Sequence, residues 1–250
     1  MGTAEIPLLI GIGVVAGVVA TVASVASIVS YPALLAIGLP PLTANVTNTV
    51  ALAFTGAGAT VGSRPELAGQ SRPVRRLALL TACGGATGGA ILLVTPARTF
   101  EAVAPFLIAF ASVLILFRPK PGDMSAGRGQ TRDRLLSLGV FAVSIYTGYF
   151  GAAGGVLMLA VLMAKLDQAL VRVNAVKNVI GGVANAVAAV AFALFGPVRW
   201  TAAIPLAAGF LIGGWAGPWL VRRIPAGALR VIVGVLGLLV AARLAVSAYL

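Results

Sequence analysis

Serine hydroxyls interrupt an apolar stretch near the start of the chain. Ser27 and Ser30 follow Ser24 at three-residue intervals, and the next helical stretch opens with Asn45 and Asn48. A helix broken inside an apolar run frees backbone N–H groups, and the N-terminus of the half-helix that follows suits an anion. The serines would add hydroxyl donors, and the asparagine amides would orient a bound molecule. The alternative for the asparagines is interhelical hydrogen bonding, and the alternative for the serine break, as for a glycine break, is close helix packing through small residues.

A second interrupted stretch has glycines in place of the serines, and polar residues follow it on one helix. The breakers are Gly151, Gly154 and Gly155, and the polar residues are Asn174, Lys177, Asn178 and Asn185. Spacings of three, four and seven put these side chains on one helix stripe. Lys177 lies within an otherwise uncharged run, where an ionisable residue indicates function, here the countercharge of an anion. The alternative is that Lys177 snorkels to the headgroups.

The two stretches predict that the same structural element, a broken helix followed by a helix with polar residues, occurs once in each half of the chain. Aligning Asn48 with Asn178 also pairs Thr47 with Lys177 and Thr55 with Asn185, and Asn45, Asn48 and Thr55 make the matching polar stripe on their helix. Helix breakers and amides at matching places in two halves of a membrane protein indicate a transporter's binding site. We therefore expect a small anion to bind between two hairpin tips. Small residues at 84–89 and 181–182 are expected to serve close helix packing instead.

The elements that hold these residues are membrane helices. The chain is 60% apolar with a mean hydropathy of +1.04, so its solvent is the bilayer. Apolar runs predict ten segments, of which six are long enough to cross alone and two, 28–38 and 154–164, are too short. The segments are 6–23, 28–38, 44–62, 73–95, 99–117, 135–151, 154–164, 172–195, 199–221 and 226–247.

Basic residues decide the predicted topology. They concentrate in loops 63–76, 118–134 and 222–230, which the positive-inside rule assigns to the cytoplasm. All three loops lie on that side only if 6–38 and 135–164 are hairpins that return to the side they enter. The predicted fold is an all-α polytopic membrane protein of two inverted repeats, 1–117 and 135–250, joined by the cytoplasmic linker 118–134. Each repeat is a broken-helix hairpin plus three transmembrane helices, about 8–10 helical segments in all.

The charged and metal-binding residues exclude several functions. The net charge of +12 comes mostly from loop residues that orient the chain and contact lipid headgroups, so no nucleic-acid partner is expected. There is no His, the only cysteine is Cys83, and the acids lie in loops or at segment ends, so we expect no metal, no cofactor and no enzyme. The expected partners are a small anion and membrane lipids, with a homodimer left open.

The glycine-rich break 148–155, and the pairing of 27–35 with 38–45, give the chain a family resemblance. Over essentially its whole length it resembles the TauE/SafE family of sulfite exporters. The resemblance implies a multi-pass permease of the bacterial plasma membrane for sulfite, thiosulfate or organosulfonates. One departure is that serines 24, 27 and 30 stand where the family often has a Gly-x-Gly-Gly break.

The function expected from these observations is secondary transport of a small sulfur-containing anion by alternating access, with export favoured. Two alternatives remain open: a passive anion channel, and a transporter of a non-sulfur organic anion. The residues expected to contact the anion are Ser27, Ser30, Asn45, Asn48, Gly154, Gly155, Asn174, Lys177, Asn178 and Asn185.

Overall fold

The computed structural model describes residues 5–116, 130–151, 154–166 and 168–221, together with residues 242 and 246. Those ranges contain helices and no strand, which confirms the all-α prediction. The helices are α1 (Glu5–Ala23), α2 (Ser27–Ala36), α3 (Pro41–Gly62), α4 (Arg64–Leu67), α5 (Ser71–Val94), α6 (Ala97–Leu116), α7 (Gln130–Tyr149), α8 (Gly154–Lys165), α9 (Leu170–Phe195) and α10 (Trp200–Val221).

Apolar run lengths predicted the helices well. Nine of the ten predicted segments coincide with a helix. Loop 222–230, most of linker 118–134 and all of segment 226–247 except residues 242 and 246 lie outside the described residues. Within the described part of the chain, four helices, α1, α5, α9 and α10, are both long and apolar enough to cross a membrane. Helix α3 is also long enough, with 22 residues or about 33 Å, and it carries amides and hydroxyls that are buried inside the protein.

Long helices from the two predicted halves pack on each other. Helix α10 packs on α1 and α3, α5 packs on α7 and α9, and α3 packs on α9. The described part therefore contains two three-helix units, α1–α10–α3 and α7–α5–α9, which meet where α3 contacts α9. Each unit combines helices of both halves, and the inverted-repeat relation between the halves stays a prediction.

Glycines let the packed backbones approach closely. A Cβ atom on Gly209 of α10 would lie 2.7 Å from the Cα of Gly13 in α1, and one on Gly88 of α5 would lie 2.8 Å from the backbone nitrogen of Tyr149 in α7. Such separations are far below the 3.5–4.0 Å of ordinary carbon contacts. The expectation that small residues within 84–89 serve helix packing is therefore confirmed for Gly88.

The contact between α3 and α9 centres on one glycine pair. A Cβ atom on Gly182 would lie 2.6 Å from the Cα of Gly56, so the two helices touch backbone to backbone, in the second half of α3 and at the middle of α9. The neighbouring Gly181 differs, because a Cβ atom there would meet nothing within 4 Å. The packing role expected for 181–182 is therefore right for Gly182 and wrong for Gly181, which faces open space.

Several predicted cytoplasmic segments meet at one end of the molecule. The Arg172 guanidinium donates to the Ala68 carbonyl over 2.9 Å, the Lys165 ammonium binds the Asp133 carboxylate, and Arg76 lies 3.6 Å from the same carboxylate. The hydrogen bond from Lys165, with the charges of Lys165 and Arg76, lowers the pKa of Asp133 below its usual value although desolvation opposes the shift. The structure thus joins loop 63–76, the end of the linker and the α8–α9 connection.

The outer surface carries the features of a lipid-facing protein. Large apolar side chains are exposed along the long helices, and two of them are the tryptophans Trp200 and Trp219 of α10. Their 19-residue separation corresponds to about 28 Å along the helix, close to the thickness of a hydrocarbon core. Tryptophans at that spacing match the aromatic belts found at the two membrane interfaces.

Candidate functional site

Both helix breaks use the same backbone device. Ser24, after α1, has φ 68°, and Gly151, after α7, has φ 77°. The Ser24 N–H donates to the Val19 carbonyl over 3.1 Å, and the Gly151 N–H donates to the Tyr146 carbonyl over 3.2 Å. In both breaks the left-handed residue ends the helix and its N–H satisfies a carbonyl of the last turn. Glycine adopts the conformation freely, whereas a serine there costs about 1–2 kcal/mol.

The two breaks meet in space. A Cβ atom on Gly155, in the first turn of α8, would lie 2.8 Å from the Ser24 Cβ and 3.1 Å from the Ser24 carbonyl oxygen. The rings of Tyr31 in α2 and Phe150 in the second break pack edge to face with centroids 5.9 Å apart. Gly155 therefore leaves room for the first break to contact the N-terminus of α8.

A cavity of about 80 Å³ lies where the two breaks meet α3 and α9. We call it the central cavity. Its lining includes six of the residues predicted to bind an anion, namely Ser27, Gly154, Gly155, Lys177, Asn178 and Asn185.

Lys177 is buried beside the first break. Its side chain is only 4% exposed, and its ammonium donates hydrogen bonds to the Ser24 hydroxyl and, over 3.5 Å, to the Ala20 carbonyl. That carbonyl belongs to the last turn of α1, where the helix dipole attracts a cation. Among the described residues that line the cavity, Lys177 is the only charged one. The cavity thus pairs one fixed positive charge with neutral surroundings.

Three uncharged polar side chains in the cavity lining are buried without a partner in the described structure. They are Asn178, Asn185 and Thr55, which are 9%, 8% and 6% exposed. The Asn178 Nδ2, Asn185 Oδ1 and Thr55 Oγ1 atoms each lack a hydrogen bond there. A buried polar group left without a hydrogen bond costs about 1–3 kcal/mol. A ligand that binds these three atoms in the cavity would remove that cost.

Two other predicted residues form a network behind the cavity. The Ser30 hydroxyl donates to the Asn48 Oδ1 over 2.6 Å, and the Asn48 Nδ2 donates to the Ser27 hydroxyl oxygen over 3.1 Å. Of the three, only Ser27 lines the cavity. Because Asn48 supplies the donor, the Ser27 hydroxyl keeps its own proton to donate elsewhere.

The remaining two predicted residues bind the ends of the broken helices. The Asn45 Nδ2 of α3 donates to the Tyr149 carbonyl at the end of α7, and the Asn174 Nδ2 of α9 donates to the Thr21 carbonyl in the last turn of α1, each over 3.0 Å. Each amide therefore satisfies a carbonyl that the break leaves without its helical partner. Neither residue lines the cavity.

Three lining residues with polar side chains were outside the predicted set of ten, namely Ser24, Thr55 and Thr147. Ser24 was noted as a helix breaker, and Thr55 as a member of the polar stripe on its helix, so both had a signal in the sequence. Thr147 had none: its hydroxyl donates to the Val143 carbonyl within α7, as threonines in helices commonly do. Only the folded arrangement brings Thr147 against Gly154.

Sequence comparisons agree with this architecture. The profile of the family described as "Sulfite exporter TauE/SafE" matches residues 9–244. A "Probable membrane transporter protein" of Haemophilus influenzae is 24% identical over 250 residues, which cover 98% of this chain and 96% of that protein. "Probable membrane transporter protein YfcA" of Escherichia coli K12 is 24% identical over 220 residues, covering 86% and 81%.

A further relative, "Probable membrane transporter protein ORF9" of Sinorhizobium sp, is 23% identical over 203 residues, which cover 81% of this chain and 78% of that protein. No solved structure matches the chain. The family profile covers nearly the whole chain, and the family is one of transporters rather than enzymes. The chain therefore belongs to the TauE/SafE sulfite exporter family and is a multi-pass membrane transporter.

Proposed function

We propose that this protein is a secondary transporter that moves a small sulfur-containing anion across the bacterial plasma membrane, with export favoured. The observation that carries the proposal is the central cavity, where Lys177 is the only charged residue among the described lining. A buried cation beside uncharged donors and acceptors that lack hydrogen-bond partners suits a ligand with a single negative charge. The family description, "Sulfite exporter TauE/SafE", supports sulfur chemistry for that ligand.

The anion would bind at the end of the cavity nearest Lys177. Its oxygens would accept hydrogen bonds from the Lys177 ammonium, the Ser27 hydroxyl and the Asn178 amide. The first-turn N–H groups of α8 have no acceptor within their own helix and carry the positive end of its dipole. The N–H of Gly154 donates to the Gly151 carbonyl over a long 3.4 Å, a bond that it would exchange for the anion, and the N–H of Gly155 would donate beside it. The Lys177 ammonium would exchange its bonds with Ser24 and α1 for bonds to the anion.

The four predicted residues outside the lining would act through others. Ser30 and Asn48 would hold the Ser27 hydroxyl with its proton directed away from Asn48. Asn45 and Asn174 would hold the broken ends of α7 and α1 in place. In this scheme they position the site without touching the anion.

Alternating access would be a movement of the two three-helix units about the Gly56–Gly182 contact. Because both residues at that contact are glycines, no side chain interlocks there and α3 can rotate against α9. The cavity lies beside the contact. Outward movement of a monoanion is driven by an inside-negative potential, which contributes about 2.3 kcal/mol per charge per 100 mV. Export would therefore proceed without a coupling carboxylate.

The test is flux of ³⁵S-labelled sulfite, thiosulfate and methanesulfonate into proteoliposomes that contain the purified protein. We expect at least one of these anions to show saturable uptake, with counterflow when the liposomes are preloaded with the same unlabelled anion. Flux that rises linearly without counterflow would identify a passive channel instead. Absence of protein-dependent flux for all three would contradict the proposal.

A further inference from the structure

The central cavity is lined along α9 by two chemically different side chains, the cation Lys177 and the neutral Asn185. Thr55 of α3 also lines the cavity, and it is adjacent to Gly56, whose contact Gly182 lies three residues before Asn185. We call the region beside Lys177 one end of the cavity and the region beside Asn185 and Thr55 its far end. Lys177 and Asn185 are eight positions apart on α9, which corresponds to about 12 Å along the helix axis. Compact oxyanions such as sulfite are too short to contact both ends at once.

The far end is polar and uncharged. Asn185 and Thr55 are more than nine-tenths buried, and the Asn185 Oδ1 and Thr55 Oγ1 atoms have no hydrogen-bond partner in the described structure. An amide and a hydroxyl each offer both a donor and an acceptor. A second charge on a ligand would find no counterion there, because the described lining residues at this end are neutral.

From these two ends we infer that the preferred cargo is an extended monoanion with an uncharged hydrogen-bonding tail, such as a short hydroxyalkylsulfonate. The sulfonate would bind at Lys177, and the tail hydroxyl would bind Asn185 and Thr55. The inference rests on the proposed function and adds the shape and charge of the cargo. It ranks such a molecule above both bare sulfite and a dianion that carries a carboxylate tail.

The test is a ligand series measured by isothermal titration of the whole protein in detergent. The ligands are sulfite, ethanesulfonate, 2-hydroxyethanesulfonate and sulfoacetate, which differ in length, tail hydroxyl and tail charge. We expect 2-hydroxyethanesulfonate to bind about tenfold more tightly than ethanesulfonate, the effect of one or two recovered hydrogen bonds. Sulfite and sulfoacetate should both bind more weakly than 2-hydroxyethanesulfonate.

Variants assign the preference to the far end. Thr55→Val and Asn185→Leu should bring the affinity for 2-hydroxyethanesulfonate to within about threefold of that for ethanesulfonate, without weakening ethanesulfonate itself. Thr49→Val is the matched control, since Thr49 is buried on the same helix, outside the cavity, with its hydroxyl bonded to the Asn45 carbonyl. This variant should keep the full preference.

The outcomes separate the two proposals. Equal affinities for 2-hydroxyethanesulfonate and ethanesulfonate, or tighter binding of sulfite or sulfoacetate, would overturn the inference while leaving the proposed function intact. A preference that survives both far-end substitutions would also overturn it. If none of the four anions binds to the wild-type protein, the proposed function fails together with the inference. The wild-type series alone decides the shape of the cargo even if a variant does not fold.

Discussion

Two adjacent glycines of α9 should respond to the same substitution with opposite signs. In Gly182→Ala the new Cβ would lie 2.6 Å from the Gly56 Cα, about 1 Å closer than carbon atoms normally pack. Because the obstacle is backbone, α3 and α9 must move apart, and overpacking of this kind costs about 1–3 kcal/mol. In Gly181→Ala the Cβ meets nothing within 4 Å, so only the helix preference for alanine acts, a gain of up to about 1 kcal/mol.

The two variants should therefore differ by about 1–4 kcal/mol in the free energy of unfolding. For a chain of this size each kcal/mol shifts Tm by about 2–4 °C, which gives a separation of about 2–16 °C. Thermal unfolding of the purified variants, followed by tryptophan fluorescence, measures it. Gly56→Ala is the matched control on the opposite helix and should behave like Gly182→Ala.

The second readout is anion binding, because Gly181 lines the central cavity. A methyl group at Gly181 reduces the space for a ligand, so Gly181→Ala should weaken binding while its Tm stays at or above that of the wild type. If Gly182→Ala unfolds at the same temperature as Gly181→Ala, the backbone contact between α3 and α9 is not what holds the two units together. If Gly181→Ala lowers Tm, the claim that Gly181 faces open space is wrong.

Two further substitutions test contacts away from the cavity. Asn174→Ala removes the amide that binds the Thr21 carbonyl at the end of α1, so it should lower stability by about 1 kcal/mol in a thermal-unfolding assay; an unchanged Tm would show that water replaces the amide at no cost. Asp133→Asn removes the carboxylate that Lys165 and Arg76 hold at a lowered pKa. A depressed pKa stabilises the fold above the unfolded pKa of about 3.9, and this contribution is lost as the pH falls through the folded value. The wild type should therefore exceed Asp133→Asn in Tm at neutral pH and match it in strong acid, whereas a gap that is the same at every pH would contradict the assignment.

Helix positions were predictable because membrane helices are governed by local composition. Runs of apolar residues gave segments within a few residues of the helices observed, down to the short arms α2 and α8. The stripe of Lys177, Asn178 and Asn185 followed from the helical period alone, and all three line one cavity. These features depend on neighbours in sequence, which a single chain displays directly.

Partners distant in sequence were not predictable in the same way. Nothing near Asn48 or Ser30 indicates that their side chains bind each other rather than a ligand, and nothing near Ser24 indicates that its hydroxyl binds Lys177. Gly181 and Gly182 are identical in type, yet one faces a cavity and the other a backbone. The difference arises from the angle at which α3 crosses α9, which is a property of the packed structure.

The central claim is that Lys177 binds the anion in the cavity between the two breaks, and sulfite binding to Lys177→Met tests it most directly. Lys165→Met is the matched control, since Lys165 binds Asp133 at the end predicted to be cytoplasmic and does not line the cavity. Loss of a charged hydrogen-bond donor is worth about 1.5–3 kcal/mol, so Lys177→Met should weaken sulfite binding at least tenfold while remaining monodisperse and folded. Lys165→Met should bind sulfite like the wild type. Equal sulfite affinity in Lys177→Met and the wild type would contradict the account.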